Sequence, residues 1–161
     1  MNYHNIEHCS LLQGEGVRVV LWVSGCGFHC KGCHNKQTWN PQSGLPFDAE
    51  ARAELFQALS NPDIKGLTLL GGEPLMPYNY DEVLGIVKEV KARFPKLDIW
   101  CYTGYVYEYL KILRPEILQH IDVIVDGQFE EELKDNSLHW RGSSNQRVMR
   151  LKDGEIVECL E

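Results

Sequence analysis

Four short apolar runs, each stopping abruptly at residues that do not pack, constrain this chain more than any other feature of its sequence. Val17 to Ser24 stops at Gly25-Cys26 and Gly66 to Leu70 at Gly71-Gly72-Glu73-Pro74. Leu97 to Tyr102 stops at Thr103-Gly104, and Ile121 to Val125 at Asp126-Gly127. Short runs rich in β-branched and apolar residues read as buried strands. Helical patterns lie between them. Asp48 can cap a helix running to about Leu59, with Ala51, Leu55, Phe56 and Leu59 on its buried side. Asn79 and Glu82 resemble a capping box, and Val83, Ile86, Val87, Val90 and Phe94 then mark one helical face up to Pro95. A shorter helix is expected near Tyr107 to Leu113, and a fifth strand over Gln146 to Leu151. This alternation predicts a single α/β domain over residues 1–161: parallel strands with crossover helices, closed or half-closed as an incomplete TIM-like barrel. In such folds the reactive residues stand at the carboxyl ends of the strands, which is where every special group here falls.

The 161 residues suffice for one real core and are too few for two ordinary ones. The net charge of −7, with acids and bases mixed along the chain, excludes a large nucleic-acid-binding face, which needs clustered Lys and Arg. No segment approaches the roughly 20 apolar residues that span a bilayer. Met1 to Ser10 is polar and lacks the regions of a signal peptide, so the expected location is the cytoplasm, where thiols stay reduced.

Three of the six cysteines lie within eight residues, in C-G-F-H-C-K-G-C from Cys26 through Cys30 to Cys33. That crowding points to a metal site rather than to disulfides. A loop of this length can wrap three thiolates around one small inorganic object. An iron–sulfur cube takes four, so three protein ligands leave one iron open to a chelating substrate. The competing reading is structural zinc, with His34 or His29 as fourth ligand. Closed zinc knuckles bring their ligands in two separated pairs, whereas these lie in one loop directly after a buried strand. Cys9, Cys101 and Cys159 stand alone, and Cys101 reads as a buried, unreactive thiol.

Gly71-Gly72-Glu73-Pro74 follows its strand with no side chain to obstruct approach, and Glu73 adds an acceptor suited to an ammonium group. The plainer alternative is a tight turn. Thr103 and Asp126 can reach ribose hydroxyls of a bound nucleoside or, equally, cap a helix or shape a turn.

The Cys-x₃-Cys-x₂-Cys loop followed by G-G-E-P resembles the radical S-adenosylmethionine superfamily. The stretches L-W-V-S-G-C, C-H-N-K-Q-T-W-N, S-G-L-P-F, D-I-W-C-Y-T-G-Y, V-D-G-Q-F and W-R-G-S-S-N-Q, in this order, look like the family that activates anaerobic ribonucleoside-triphosphate reductases. The resemblance runs from the first residues to about Arg147. It implies a [4Fe–4S] cluster on Cys26, Cys30 and Cys33. It implies an S-adenosylmethionine site lined by Gly32, Cys33 and His34, with Gly72 and its neighbours at the methionine end. It also implies a flavodoxin-like electron donor, cleavage to methionine and a 5′-deoxyadenosyl radical, and a glycyl radical left on the large subunit of the reductase. One departure is Gly32, where many superfamily members carry an aromatic residue that packs on adenine; this leaves the adenine contact unassigned.

Two other functions compete. L-Q-G-E-G at Leu12 to Gly16 is similar to an early segment of small-molecule radical enzymes of the deazaguanine-forming type. A zinc-stabilised or electron-carrying module is the non-enzymatic alternative.

Overall fold

A computed structural model describes residues 1–160. Eight strands form one mixed sheet in the order β3-β1-β2-β4-β5-β6-β7-β8. Its centre is parallel: β2 (Arg18–Val23), β4 (Gly66–Gly71), β5 (Asp98–Tyr102) and β6 (Val123–Asp126) are neighbours in chain order. These are the four apolar runs of the sequence. Flanking them antiparallel are β1 (Asn2–Ser10) with the short β3 (Leu45–Pro46) on one side, and β7 (Arg147–Lys152) with β8 (Glu155–Cys159) on the other.

Because β2, β4, β5 and β6 follow one another across the sheet, right-handed crossovers must put every connecting helix on the same face. Helices α1 (Ala49–Leu59), α2 (Pro77–Arg93), α3 (Tyr107–Leu113) and the single turn α4 (Pro115–Leu118) each bury one apolar side there. The period-2 alternation of the strands supplies the partner surface. Val19, Leu21 and Val23 of β2, Leu67 and Leu69 of β4, Ile99 and Cys101 of β5, and Ile124 of β6 join Leu55, Leu59, Val83, Ile86 and Val90 in one core.

Asp48 caps α1, its carboxylate accepting from the Ala51 N–H at 2.9 Å. The start of α2 differs from expectation. Pro77, with its φ already set and no N–H to leave unpaired, opens the helix in place of Asn79. Asn79 is instead buried and donates to the backbone carbonyls of Ser24 and Glu73.

Among the described residues no α-helix covers the opposite face. It presents the alternate set of strand residues: Arg18, Trp22, Thr68, Leu70, Trp100, Tyr102, Val123, Val125 and Val148. One rung crosses it through Val20, Thr68, Trp100, Val123 and Arg150. Residues Gln13 to Glu15 pack against this face. The fully buried Arg18 donates to Thr68 Oγ1 at 2.8 Å, to the Glu15 carbonyl at 2.9 Å and to the Leu67 carbonyl at 3.0 Å, and pairs with Asp98 at 2.6 Å. Thr68 in turn donates to the Gln13 carbonyl at 2.7 Å. A Cβ on Gly14 would fall 2.9 Å from Arg18 Cδ and from the Trp100 ring. L-Q-G-E-G is therefore a packing element under the sheet, shaped by a buried guanidinium.

Candidate metal centre

The cysteine loop is zipped to itself and to the glycine turn. Gly25, at φ +95°, leaves β2 and donates to the Thr38 carbonyl at 2.6 Å, and the Cys26 N–H donates to the Trp39 carbonyl at 3.0 Å. The Gly25 carbonyl accepts from the Glu73 N–H at 2.7 Å, while the Gly72 N–H donates to the Val23 carbonyl at 2.9 Å. A Cβ on Gly72 would overlap the Gly25 carbonyl oxygen, and Gly71 sits at φ +116°. The glycine pair thus lets two strand ends touch backbone to backbone. A short 3₁₀ turn, Lys36–Thr38, completes the loop.

Cys26, Cys30 and Cys33 are free thiols, each partly exposed. Burial pushes the Cys26 thiol up to about 11 and raises that of Cys30 as well, so ligation by either requires a cation to displace its proton. The Asn35 N–H donates to Cys33 Sγ at 3.4 Å. Among the described residues no three His, Cys, Asp or Glu side chains converge on the position of a single ion. His29, at φ 48°, stacks on Trp39 with ring centroids 4.3 Å apart, and His34 packs edge-on to Phe129. The donor set of three thiols on one loop fits an iron–sulfur cube with one iron left to another ligand. Gly32 lies at φ +76°, a backbone region that an aromatic residue reaches only under strain, and a Cβ there would fall 2.9 Å from the Glu131 carboxyl carbon.

Glu73 is buried, and its carboxylate faces the end of β5. Oε1 accepts from Thr103 Oγ1 at 2.8 Å and the Leu75 N–H at 3.0 Å; Oε2 accepts from the Gly104 N–H at 2.7 Å. Burial outweighs these bonds and pushes the carboxyl up to about 7. Pro74 is buried behind it. Thr103 Oγ1 also accepts from the Tyr105 N–H at 3.1 Å. Asp126, 1% exposed, accepts from the Tyr107 N–H at the start of α3 and pairs with Arg147, which also pairs with Glu108. Cys26, Gly72, Glu73 and Thr103 therefore form one connected group. Asp126 belongs to a separate one, with both carboxylate oxygens engaged. Cys101 is buried, its thiol raised by burial; Cys9 and Cys159 are exposed on β1 and β8.

Two cavities flank the loop. One of about 870 Å³ is lined by Phe28, Cys30, Gly104, Asp126, Gln128 and Arg147. The other, about 480 Å³, lies over the helix-free face, where Cys33 and His34 meet Trp22, Leu70, Tyr102 and Trp140. These aromatic walls are hard to see in the sequence. Trp22 and Tyr102 sit inside strands whose apolar character masked them, although alternation with Val23 and Cys101 puts them on the other face. W-R-G-S-S-N-Q forms the far wall. Gln146 holds it by accepting from the Gly142 and Ser143 N–H groups and donating to the Gly127 carbonyl.

A family model described as a 4Fe-4S single cluster domain matches residues 12–149. The chain is 48% identical over 154 residues to the anaerobic ribonucleoside-triphosphate reductase-activating protein of Enterobacteria phage T4, covering 96% of this chain and 97% of the phage protein. It is 46% identical to the protein of that name from Pasteurella multocida, covering 93% of this chain and 98% of the relative. It is 42% identical to that of Escherichia coli K12, covering 94% of this chain and 100% of the relative. A cysteine loop locked to a glycine turn, matched by an iron–sulfur family model and by near-full-length relatives, makes this chain a member of the anaerobic ribonucleoside-triphosphate reductase-activating protein family.

Proposed function

We propose that the protein is a radical S-adenosylmethionine enzyme that leaves a glycyl radical on the large subunit of an anaerobic ribonucleoside-triphosphate reductase. The observation that supports this best is the backbone lock between Gly25 and the Gly72-Glu73 turn. It holds the three-thiol loop against the glycine turn at the carboxyl ends of the parallel strands. We read that sheet as the incomplete barrel of a single domain over residues 1–161, its helix-free face turned inward.

In this reading Cys26, Cys30 and Cys33 hold a [4Fe–4S] cluster and leave one iron to the amino and carboxylate groups of S-adenosylmethionine. Bound there, the cluster would supply the one electron needed to cleave S-adenosylmethionine to methionine and a 5′-deoxyadenosyl radical, which would take a hydrogen atom from a glycine of the reductase. The chain's own residues do the rest. Gly71 and Gly72, lacking side chains, let the turn press against the backbone of Val23 and Gly25 and so fix where the methionine end would lie, with Gly32, Cys33 and His34 lining the rest of the site in this reading. Glu73, fastened to Thr103 and Gly104, fixes the spacing of two strand ends; an ammonium group nearby would favour its ionised form. Pro74 keeps the following backbone rigid. Thr103, bonded to Glu73, and Asp126, paired with Arg147, shape the ends of β5 and β6 beside that site.

A primary carbon radical attacks most C–H bonds, so water and stray side chains must be kept out. The aromatic walls of the 480 Å³ cavity supply that exclusion on one side, and a loop of the partner would complete it. Among the described residues no helix is long and apolar enough to cross a membrane. In this reading the enzyme works in the cytoplasm with a flavodoxin-like reductant.

The test is product analysis. Reconstituted anaerobically and reduced, the protein should convert S-adenosylmethionine to methionine and 5′-deoxyadenosine in equal amounts. A loaded cluster that leaves S-adenosylmethionine intact, or stoichiometric zinc in its place, overturns the reading.

A further inference from the structure

The 480 Å³ cavity carries a polar group that the local structure does not use. Tyr102 closes β5 on the helix-free face, and its hydroxyl oxygen is buried without a hydrogen-bond partner. One rung deeper on the same strand face, the fully buried Trp100 also has an unpartnered Nε1–H, and its ring packs edge-on to Trp140 at 5.1 Å. Two orphaned donors on one strand are unusual, because a buried polar group without a partner costs free energy that folding has to offset. Such a cost persists where a ligand supplies the missing acceptor. Burial also raises the Tyr102 phenol well above its usual value, so it stays protonated and donates.

The surroundings say what kind of ligand this is. Trp22, Tyr102 and Trp140 give the cavity flat aromatic walls, with Leu70 between them and Cys33 at its edge. Trp140 is held at φ 60°, a strained conformation for a bulky residue, while Gln146 ties down the turn that follows it. Trp22 Nε1 is already engaged with Glu7 at 3.0 Å, whereas the buried Tyr102 hydroxyl has no partner among the described residues. Aromatic walls with an unused donor among them suit a purine nucleoside.

We propose that Tyr102 is a ligand-positioning residue whose hydroxyl donates to an acceptor on the adenosyl portion of S-adenosylmethionine, held in the cavity walled by Trp22 and Trp140. The inference rests on the radical S-adenosylmethionine reading and fills the adenine contact that Gly32 leaves open.

The experiment uses Tyr102→Phe with its cluster reconstituted, titrated calorimetrically with S-adenosylmethionine, 5′-deoxyadenosine and methionine, beside a melting curve of the cluster-free protein. The phenylalanine keeps the wall and removes only the orphaned oxygen. Melting temperature should hold or rise. Binding of S-adenosylmethionine and of 5′-deoxyadenosine should weaken about three- to tenfold, the usual range for one neutral hydrogen bond, with methionine binding unchanged. Unchanged binding of the two adenosyl ligands overturns the proposal, as does weakening of methionine binding instead. A lowered melting temperature with all three ligands weakened would make Tyr102 a structural residue and overturn it too. Wild-type protein that carries its cluster but binds no S-adenosylmethionine removes the underlying reading as well, which separates the two failures.

Discussion

At the residue scale, three thiols and one carboxylate have to answer to the proposal. Cys30→Ala removes a ligand from a partly exposed loop and nothing from the core, so it should lose the intact cluster and all cleavage while the circular dichroism spectrum stays near wild type. A variant that still cleaves S-adenosylmethionine at the normal rate contradicts the ligand set. Glu73→Ala is a harsher change than its place in a turn suggests. It strands the Thr103 hydroxyl and the Leu75 and Gly104 N–H groups, so it should lower unfolding stability by about 2 kcal/mol or more in urea titration. Glu73 also gives a pH signature. A carboxyl whose folded value of about 7 lies above its ordinary 4.5 favours the native state while protonated. Its contribution is full below pH 4.5, declines as pH rises, and is lost above about 7. The stability difference between wild type and Glu73→Gln should fall across that window in cluster-free protein; a flat difference would mean that Glu73 ionises normally. The cysteines were legible in the sequence because ligand spacing is local. The role of Glu73 as a clip between strand ends was not, since its partners lie about thirty positions away.

At the scale of elements, the decisive join is the one between the cysteine loop and the turn after β4. Gly72→Ala forces a Cβ onto the Gly25 carbonyl oxygen, a backbone atom that cannot swing aside. It should reduce cluster loading, read as iron and sulfide per chain, more than it lowers the melting temperature. Full loading would show that the two loops act independently. The four parallel strands and both long helices follow from pattern, because burial on a sheet face or helix stripe writes itself into consecutive residues. β1 and β8 do not: of β1 only Ile6 and Ser10 are buried, and β8 is exposed throughout, so edge strands left almost no apolar period. The true start of α2 was hidden for another reason. Asn79 and Glu82 satisfy a capping pattern, but Asn79 serves the carbonyls of Ser24 and Glu73 instead. The W-R-G-S-S-N-Q stretch carried the family signal without a stated job, which is to wall the cavity through Trp140.

At the scale of the whole molecule, one sheet separates two environments. Helices α1 to α4 cover one face with an apolar core, and the other keeps Arg18 and Asp98 paired at one end and an aromatic cavity at the other. A chain of 161 residues has little left to enclose a radical by itself, which suits an enzyme whose substrate is another protein's loop. The measurement that tests this most directly is electron paramagnetic resonance of the anaerobic reductase after incubation with the reduced, cluster-loaded protein and S-adenosylmethionine. The account predicts a glycyl doublet that is absent when S-adenosylmethionine is omitted or Cys30→Ala replaces the wild type. Cleavage of S-adenosylmethionine without that doublet, from a reductase competent to carry it, would contradict the account and point to a small-molecule substrate instead.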